Sequence, residues 1–174
     1  MRTALVAAVL AAIALPAVAQ NSEPAAKCRD QPLPPVFEGL VFAGDGDTIY
    51  GAGFGPGIRL WGIQASELRD QAKAETVPGM RARAAMEDLL APTGHKARCE
   101  PLKWDRYCRV VASCSAGGVD LSLALLQQGL AYGFYLADAN PATAAKSVAY
   151  AAAEFEARKA GKGLWPVWLG TAKP

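Results

Sequence analysis

The sequence has a single histidine, His95, and no Cys-x-x-Cys pair among its four cysteines. Structural zinc sites draw on His and Cys at such spacings, so the chain does not read as a zinc protein. It also lacks an excess of either charge. Eighteen Lys and Arg stand against 16 Asp and Glu, a formal net charge of +2. Bulk electrostatics therefore does not point to nucleic acid, and any such binding must come from locally placed cations. There is no internal repeat and no Gly-X-Y period, which excludes collagen-like and mucin-like chains. A hydrophobic content of 52% excludes a polar disordered chain. The 174 residues suit one domain of ordinary size.

The longest apolar run is short. Ala4 to Leu15 is unbroken for 12 residues, preceded by Arg2 and followed by Pro16 and Ala17-Val18-Ala19. A membrane-spanning helix needs about 20 such residues. A basic start, a short apolar stretch and small residues at the cleavage positions make residues 1–19 a secretory signal peptide, cut after Ala19. The expected location is periplasmic or secreted, with no stable membrane association.

Export makes the four cysteines candidates for disulfides, with three possible pairings. Cys99 and Cys114 flank a hairpin that folds about Asp105–Tyr107, which sets their sulfurs opposite one another and predicts a Cys99–Cys114 bond. Cys28 and Cys108 are then left, either paired, tying the N-terminal arm to the domain, or free.

Residues 20–35 carry Pro24, Pro32, Pro34 and Pro35 and read as an extended arm. Strands are predicted at 36–43, 48–50, 58–63, 95–101 and 109–114, with a turn at Gly44-Asp45-Gly46-Asp47 and a hairpin loop over 51–57. In the third strand Arg59 and Trp61 share one face. Ala82, Ala85, Met86, Leu89 and Leu90 form the stripe of a first helix that Pro92 ends. Asp120 caps a second helix running through Gln128, and Gly129 terminates it. A third helix spans 146–160, with Val148, Ala151, Ala152 and Phe155 predicted inward and Glu154–Arg158 as an i,i+4 pair. The sum is a small α+β domain built around a barrel.

Carboxylates and arginines supply the chemistry. Asp45 and Asp47 sit in the glycine turn, Glu67 follows the third strand, Arg59 lies within it and Arg109 opens another strand. Acids hold hard divalent cations through oxygen. Guanidinium groups grip phosphate and neutralise charge that develops in a transition state.

Asp45-Gly46-Asp47-Thr48, Ile58-Arg59-Leu60-Trp61-Gly62-Ile63, Glu67 and Asp105-Arg106-Tyr107-Cys108-Arg109-Val110-Val111-Ala112 together resemble the staphylococcal nuclease (thermonuclease) family. The similarity continues through Val119-Asp120, Gln128-Gly129-Leu130-Ala131 and Glu154 to Trp165. It covers about residues 36–168, between the arm and a C-terminal tail of 169–174.

The resemblance implies a five-stranded OB-fold β-barrel with three helices, and a calcium-dependent phosphodiesterase acting on DNA and RNA. Asp47 matches the first calcium carboxylate, and Ala65 stands where the family uses a backbone carbonyl. Arg59 and Arg109 match the phosphate-binding arginines, and Glu67 matches the general base. Tyr107 and Tyr135 match tyrosines of the nucleotide pocket. Three positions depart from the pattern. Gln64 replaces the second calcium carboxylate, which implies a weakened metal site that Gln64→Asp is expected to strengthen. Ser66 replaces a proline, and Cys108 replaces a glycine. The alternative reading is a non-catalytic OB-fold module that binds nucleic acid or another anion outside the cytoplasm.

Overall fold

The computed structural model describes residues 28, 30–51, 57–138 and 141–171. The expected signal peptide, most of the proline-rich arm and the loop over 52–56 lie outside them. The strands are β1 (Phe37–Ala43), β2 (Thr48–Gly51), β3 (Ile58–Leu60), β4 (Ile63–Ala65), β5 (Lys96–Trp104), β6 (Val110–Ala116), β7 (Val119–Asp120) and β8 (Ala131–Gly133). The helices are α1 (Val77–Leu90), α2 (Leu121–Gln128), α3 (Ala144–Lys159) and the short α4 (Trp165–Trp168). Among the described residues no helix is long and apolar enough to cross a membrane.

Antiparallel pairing runs β3-β2-β1-β5-β6, and β3 then pairs in parallel with β6. That last pairing closes five strands into a barrel, the α+β architecture expected of an OB-fold. Alternate residues of the strands fill the interior: Val41, Ile49, Ile58, Leu60, Val110 and Ala112 are all buried. Helix α1 adds Ala82, Ala85, Met86 and Leu90 to the same core, as its periodicity predicts. Thr76 caps α1 through the Gly79 amide, and Asp120 caps α2 through the Leu123 amide. Gly129, at φ +68°, ends α2 in the left-handed conformation that glycine adopts without strain.

Three expectations are corrected. The strand predicted over 58–63 stops at Leu60. Gly62 has φ +80°, and a Cβ there would lie 2.8 Å from the Tyr150 ring, so the backbone turns where only glycine fits. Residues 63–65 then form β4, which pairs with β8 instead of continuing in the barrel. The inward face of α3 is also different. Val148 and Phe155 are 73% and 63% exposed, and Ala151 and Ala152 are exposed as well, while Tyr150 and Ala157 are buried. Tyr150 donates to the Asp120 carboxylate at 2.7 Å and packs on Trp61 with ring centroids 5.5 Å apart. Glu154 does not pair with Arg158: it accepts from the Gly133 amide at 2.8 Å, and Arg158 lies over the Trp165 ring.

The hairpin of β5 and β6 places Cys99 opposite Cys114, and the two are joined by a disulfide. A second disulfide joins Cys28 to Cys108, so the arm is tied to the domain. Removing the first bond as Cys99→Ser with Cys114→Ser is expected to cost roughly 3 kcal/mol, the loop-entropy value for a closure of this length. Urea unfolding measures it, and a loss below about 1 kcal/mol would show that the hairpin alone orders this loop.

Candidate active site

The turn between β1 and β2 sets the first acid. The amides of Gly44 and Asp45 donate to the Thr48 carbonyl, and the Asp45 carboxylate accepts from the Asp47 amide at 2.9 Å. Gly46 presses this turn against α1 and β4: a Cβ on it would come within 2.6 Å of the Ala82 and Ala65 side chains. Asp47 is thereby driven inside, to 5% exposure. Its Oδ1 lies 3.0 Å from Arg59 Nη1 and accepts from the Thr48 hydroxyl, and its Oδ2 accepts from the Ala65 amide at 2.7 Å. Burial, with the nearby Asp45 charge, outweighs Arg59 and these bonds, and pushes the Asp47 pKa up from 3.8 to about 6. In folding, Asp47 therefore favours the native state most below pH 4, and loses that contribution as the pH rises through 6.

Arg59 is buried on β3, and its guanidinium is almost fully spoken for. Nη1 also donates to the carbonyls of Asp47 and Leu60, while Nη2 donates to the Ile63 carbonyl and to Gln64 Oε1, both at 2.8 Å. Burial pulls its pKa down, and the positive charge of Arg109 adds to that; Asp47, Asp45 and Glu67 oppose it. An arginine starts so high that it stays charged.

Arg109 is held differently. Asp105 organises the turn between β5 and β6, accepting from the amides of Tyr107 and Arg109 through Oδ1. Its Oδ2 takes Arg109 Nε at 2.7 Å. That bond uses the inner nitrogen of Arg109 only, so among the described residues the terminal pair remains for a ligand. The sequence treats the two arginines as equals; the geometry makes Arg59 a fixed charge and Arg109 the open fork. Cys108, at φ +59°, sits between Tyr107 and Arg109 in a conformation that favours glycine. Its disulfide to Cys28, with the Trp104 indole donating to the Gln31 carbonyl, fastens the arm to this turn.

Glu67 lies on the loop between β4 and α1. Its carbonyl accepts from the Thr76 hydroxyl at 2.6 Å, and Gly79 lets α1 approach so closely that a Cβ there would lie 2.3 Å from that carbonyl. The backbone of Glu67 is thus pinned to the start of α1, and its side chain is exposed.

One open cleft of 660 Å³ brings these groups together: Asp47, Arg59, Gln64, Glu67 and Arg109 line it, with Asp45 beside them. Tyr107 and Tyr135 line it too, both exposed, with Lys103 over the Tyr135 ring at 6.0 Å. Ala65 is not on the wall. It is buried behind Asp47, its amide on that carboxylate and its carbonyl accepting from Gln64 Nε2 at 3.1 Å. Sequence reasoning missed the work of Asp105, although its spacing of two and four residues from Tyr107 and Arg109 is that of an Asp folding a turn around its own side chain. It also missed Phe134, which lines the cleft edge-on to Tyr135.

No match is found among curated proteins. The sequence model of the staphylococcal nuclease homologue family matches residues 57–167, which include β3 with Arg59, the loop with Glu67 and the turn with Arg109. That stretch is more than half of the chain, and it carries Arg59, Glu67 and Arg109 of the charged groups that line the cleft. The closed barrel, the cleft and this match agree, and the chain belongs to the staphylococcal nuclease homologue family.

Proposed function

We propose that the chain hydrolyses phosphodiester bonds of nucleic acids outside the cytoplasm, with residues 36–168 as the catalytic unit. The observation that carries this reading is the meeting of Asp47, Arg59, Glu67 and Arg109 in one open cleft. Arg109 presents its terminal nitrogens to a non-bridging phosphate oxygen pair, and Arg59 supplies fixed positive charge from the floor. Glu67 takes the proton of a water that attacks phosphorus in line; a P–O ester bond breaks, and the departing oxygen is protonated from solvent in the open cleft. Tyr107, Tyr135 and Phe134 offer ring faces and edges to bases or sugars on the rim. Two disulfides support a working place outside the cytoplasm.

Calcium is the ion the family implies. Among the described residues no three His, Cys, Asp or Glu side chains gather as a ready metal site. The donors at hand are hard oxygens, however, and the Asp45 and Asp47 carboxyls both line the cleft. The residues fit calcium through Asp47; Gln64 and Ala65, the other ligands the resemblance implies, have only a neutral amide oxygen and a peptide oxygen to offer. When bound, the ion would add positive charge beside the phosphate.

The test is cleavage of labelled single-stranded DNA and RNA by the purified exported chain, with calcium and with chelator. Cleavage that needs the ion is expected. Binding of the strands without any cleavage would favour the alternative, a non-catalytic OB-fold module that grips nucleic acid through Arg109 and the exposed aromatics.

A further inference from the structure

We infer that Gln64 is a positioning residue whose amide bridges Arg59 and Glu67, aiming the Glu67 carboxylate into the cleft, and that its oxygen is not a cation ligand. This deepens the nuclease reading and rests on it.

The orientation of the amide follows from its neighbours. Arg59 Nη2 lies 2.8 Å from Gln64 Oε1, and a guanidinium has only hydrogens to offer, so the oxygen must face it. The nitrogen then faces two acceptors, the Ala65 carbonyl at 3.1 Å and Glu67 Oε1 at 3.3 Å. Turning the amide over would set N–H against N–H at one end and oxygen against oxygen at the other, so all three partners select the same arrangement. The oxygen already serves a buried cation, and a metal ion on it would bring a second positive charge to that place.

The bridge matters because of how Glu67 is held. Its backbone is anchored to the start of α1, while its side chain is exposed with several free torsions. Gln64 Nε2 is the hydrogen-bond donor that the carboxylate meets among the described residues. Gln64 is itself fixed at its other end by Arg59, and on β4 by pairing with Tyr132. A base held near its reacting proton works faster than one that must find it.

No carboxylate does both jobs. Aspartate or glutamate at 64 accepts from Arg59 but has no hydrogen for Glu67, and sets a like charge against it. Aspartate is also one methylene short. The departure from the family pattern at this position therefore changes the task of the residue, from holding an ion to holding the base.

The experiment compares wild type with Gln64→Met, Gln64→Glu and Gln64→Asp. Initial rates on a single-stranded oligonucleotide separate kcat from KM, and calorimetry with calcium alone measures ion affinity. The bridge predicts that all three variants lose about tenfold in kcat with KM within about twofold, and that Gln64→Met keeps the calcium affinity of wild type. Unchanged kcat in Gln64→Met, weaker calcium binding in Gln64→Met, or higher kcat in Gln64→Asp would each overturn it. NMR of the Gln64 side-chain amide reads the bridge without turnover: its signal should shift in Glu67→Ala and stay in place when calcium is added. A signal indifferent to Glu67→Ala overturns the bridge even in an active enzyme. Wild type that shows the shift but cuts nothing defeats the nuclease reading, and with it the role in catalysis, while leaving the contact itself established.

Discussion

Replacing Glu67 with Gln is expected to lower kcat by about 10²–10⁴-fold, the usual worth of a positioned general base. KM should change little, because the amide leaves Arg109 and the aromatic rim as they are. The substitution keeps an oxygen for Gln64 Nε2, so the local contact survives and the basicity alone is removed. Glu67 is exposed, and its fastening to α1 runs through its backbone carbonyl, so the melting temperature should stay within about 2 °C of wild type. Steady-state kinetics with a melting curve checks both halves. A variant that retains a third or more of wild-type kcat would remove Glu67 from the chemistry and leave the attacking water without its base.

Arg59→Ala and Arg109→Ala should fail in different ways. Arg59 is 8% exposed and its terminal nitrogens serve Asp47, Leu60, Ile63 and Gln64. Deleting it strands the buried Asp47 carboxylate without its counter-charge, a change that costs about 3–5 kcal/mol in buried pairs. For a domain of this size that is roughly a 10 °C fall in melting temperature. Activity is lost together with the fold. Without Arg59 the buried Asp47 carboxyl takes up its proton at higher pH than in wild type, so the gap between wild type and Arg59→Ala should narrow as the pH falls towards 6 and level off below it. Among the described residues Arg109 has one side-chain hydrogen bond, to Asp105, at a partly exposed site. Its removal should cost little stability but about 10²-fold or more in kcat/KM, since the open fork is gone. Calorimetric melting beside kinetics separates the cases. Equal loss of stability in both variants would contradict the division between floor charge and fork. Arg59→Lys adds a control: it keeps the charge and loses the planar set of donors, so it should melt between wild type and Arg59→Ala.

Much of the barrel was legible because its signals are local. The alternation of Val41, Ala43 and Ile49, the Asp-Gly turn and the glycines at 117 and 118 mark strands and their reversals, and the strands fall close to where they were expected. The caps Asp120 and Gly129 bound α2 as their chemistry demands. What failed depends on distant partners. The bend at Gly62 exists because the Tyr150 ring arrives there from 88 residues further along the chain, which no window around residue 62 contains. The face of α3 was misjudged because the helix is rich in alanine and has two apolar stripes. Val148 and Phe155 are the more hydrophobic pair, but Tyr150 has a hydroxyl that needs an acceptor, and Asp120 provides it inside.

The candidate site shows the same division. Residue types and order point to Asp47, Arg59, Glu67 and Arg109, and one cleft holds all four. Their hydrogen-bond states were not readable. Whether an arginine on a strand is saturated or open depends on which carbonyls the fold aims at it: β3, β4 and the turn at Asp47 aim one each at Arg59, while the turn at Asp105 leaves the end of Arg109 unclaimed among the described residues. Gln64 illustrates the point further. Its position suggested a weakened ion ligand, while its contacts with Arg59 on one side and Glu67 on the other, on which the proposed bridge rests, come from the fold and not from its neighbours in sequence.

The most direct measurement is the fate of a labelled single strand exposed to the purified chain, followed by the position of oxygen from ¹⁸O-water in the products. Calcium-dependent cuts, each carrying one ¹⁸O on the new terminal phosphate and suppressed in both Glu67→Gln and Arg109→Ala, are the result predicted here. Strands retained intact on a protein that binds them tightly, at any calcium concentration, would contradict hydrolysis by this cleft.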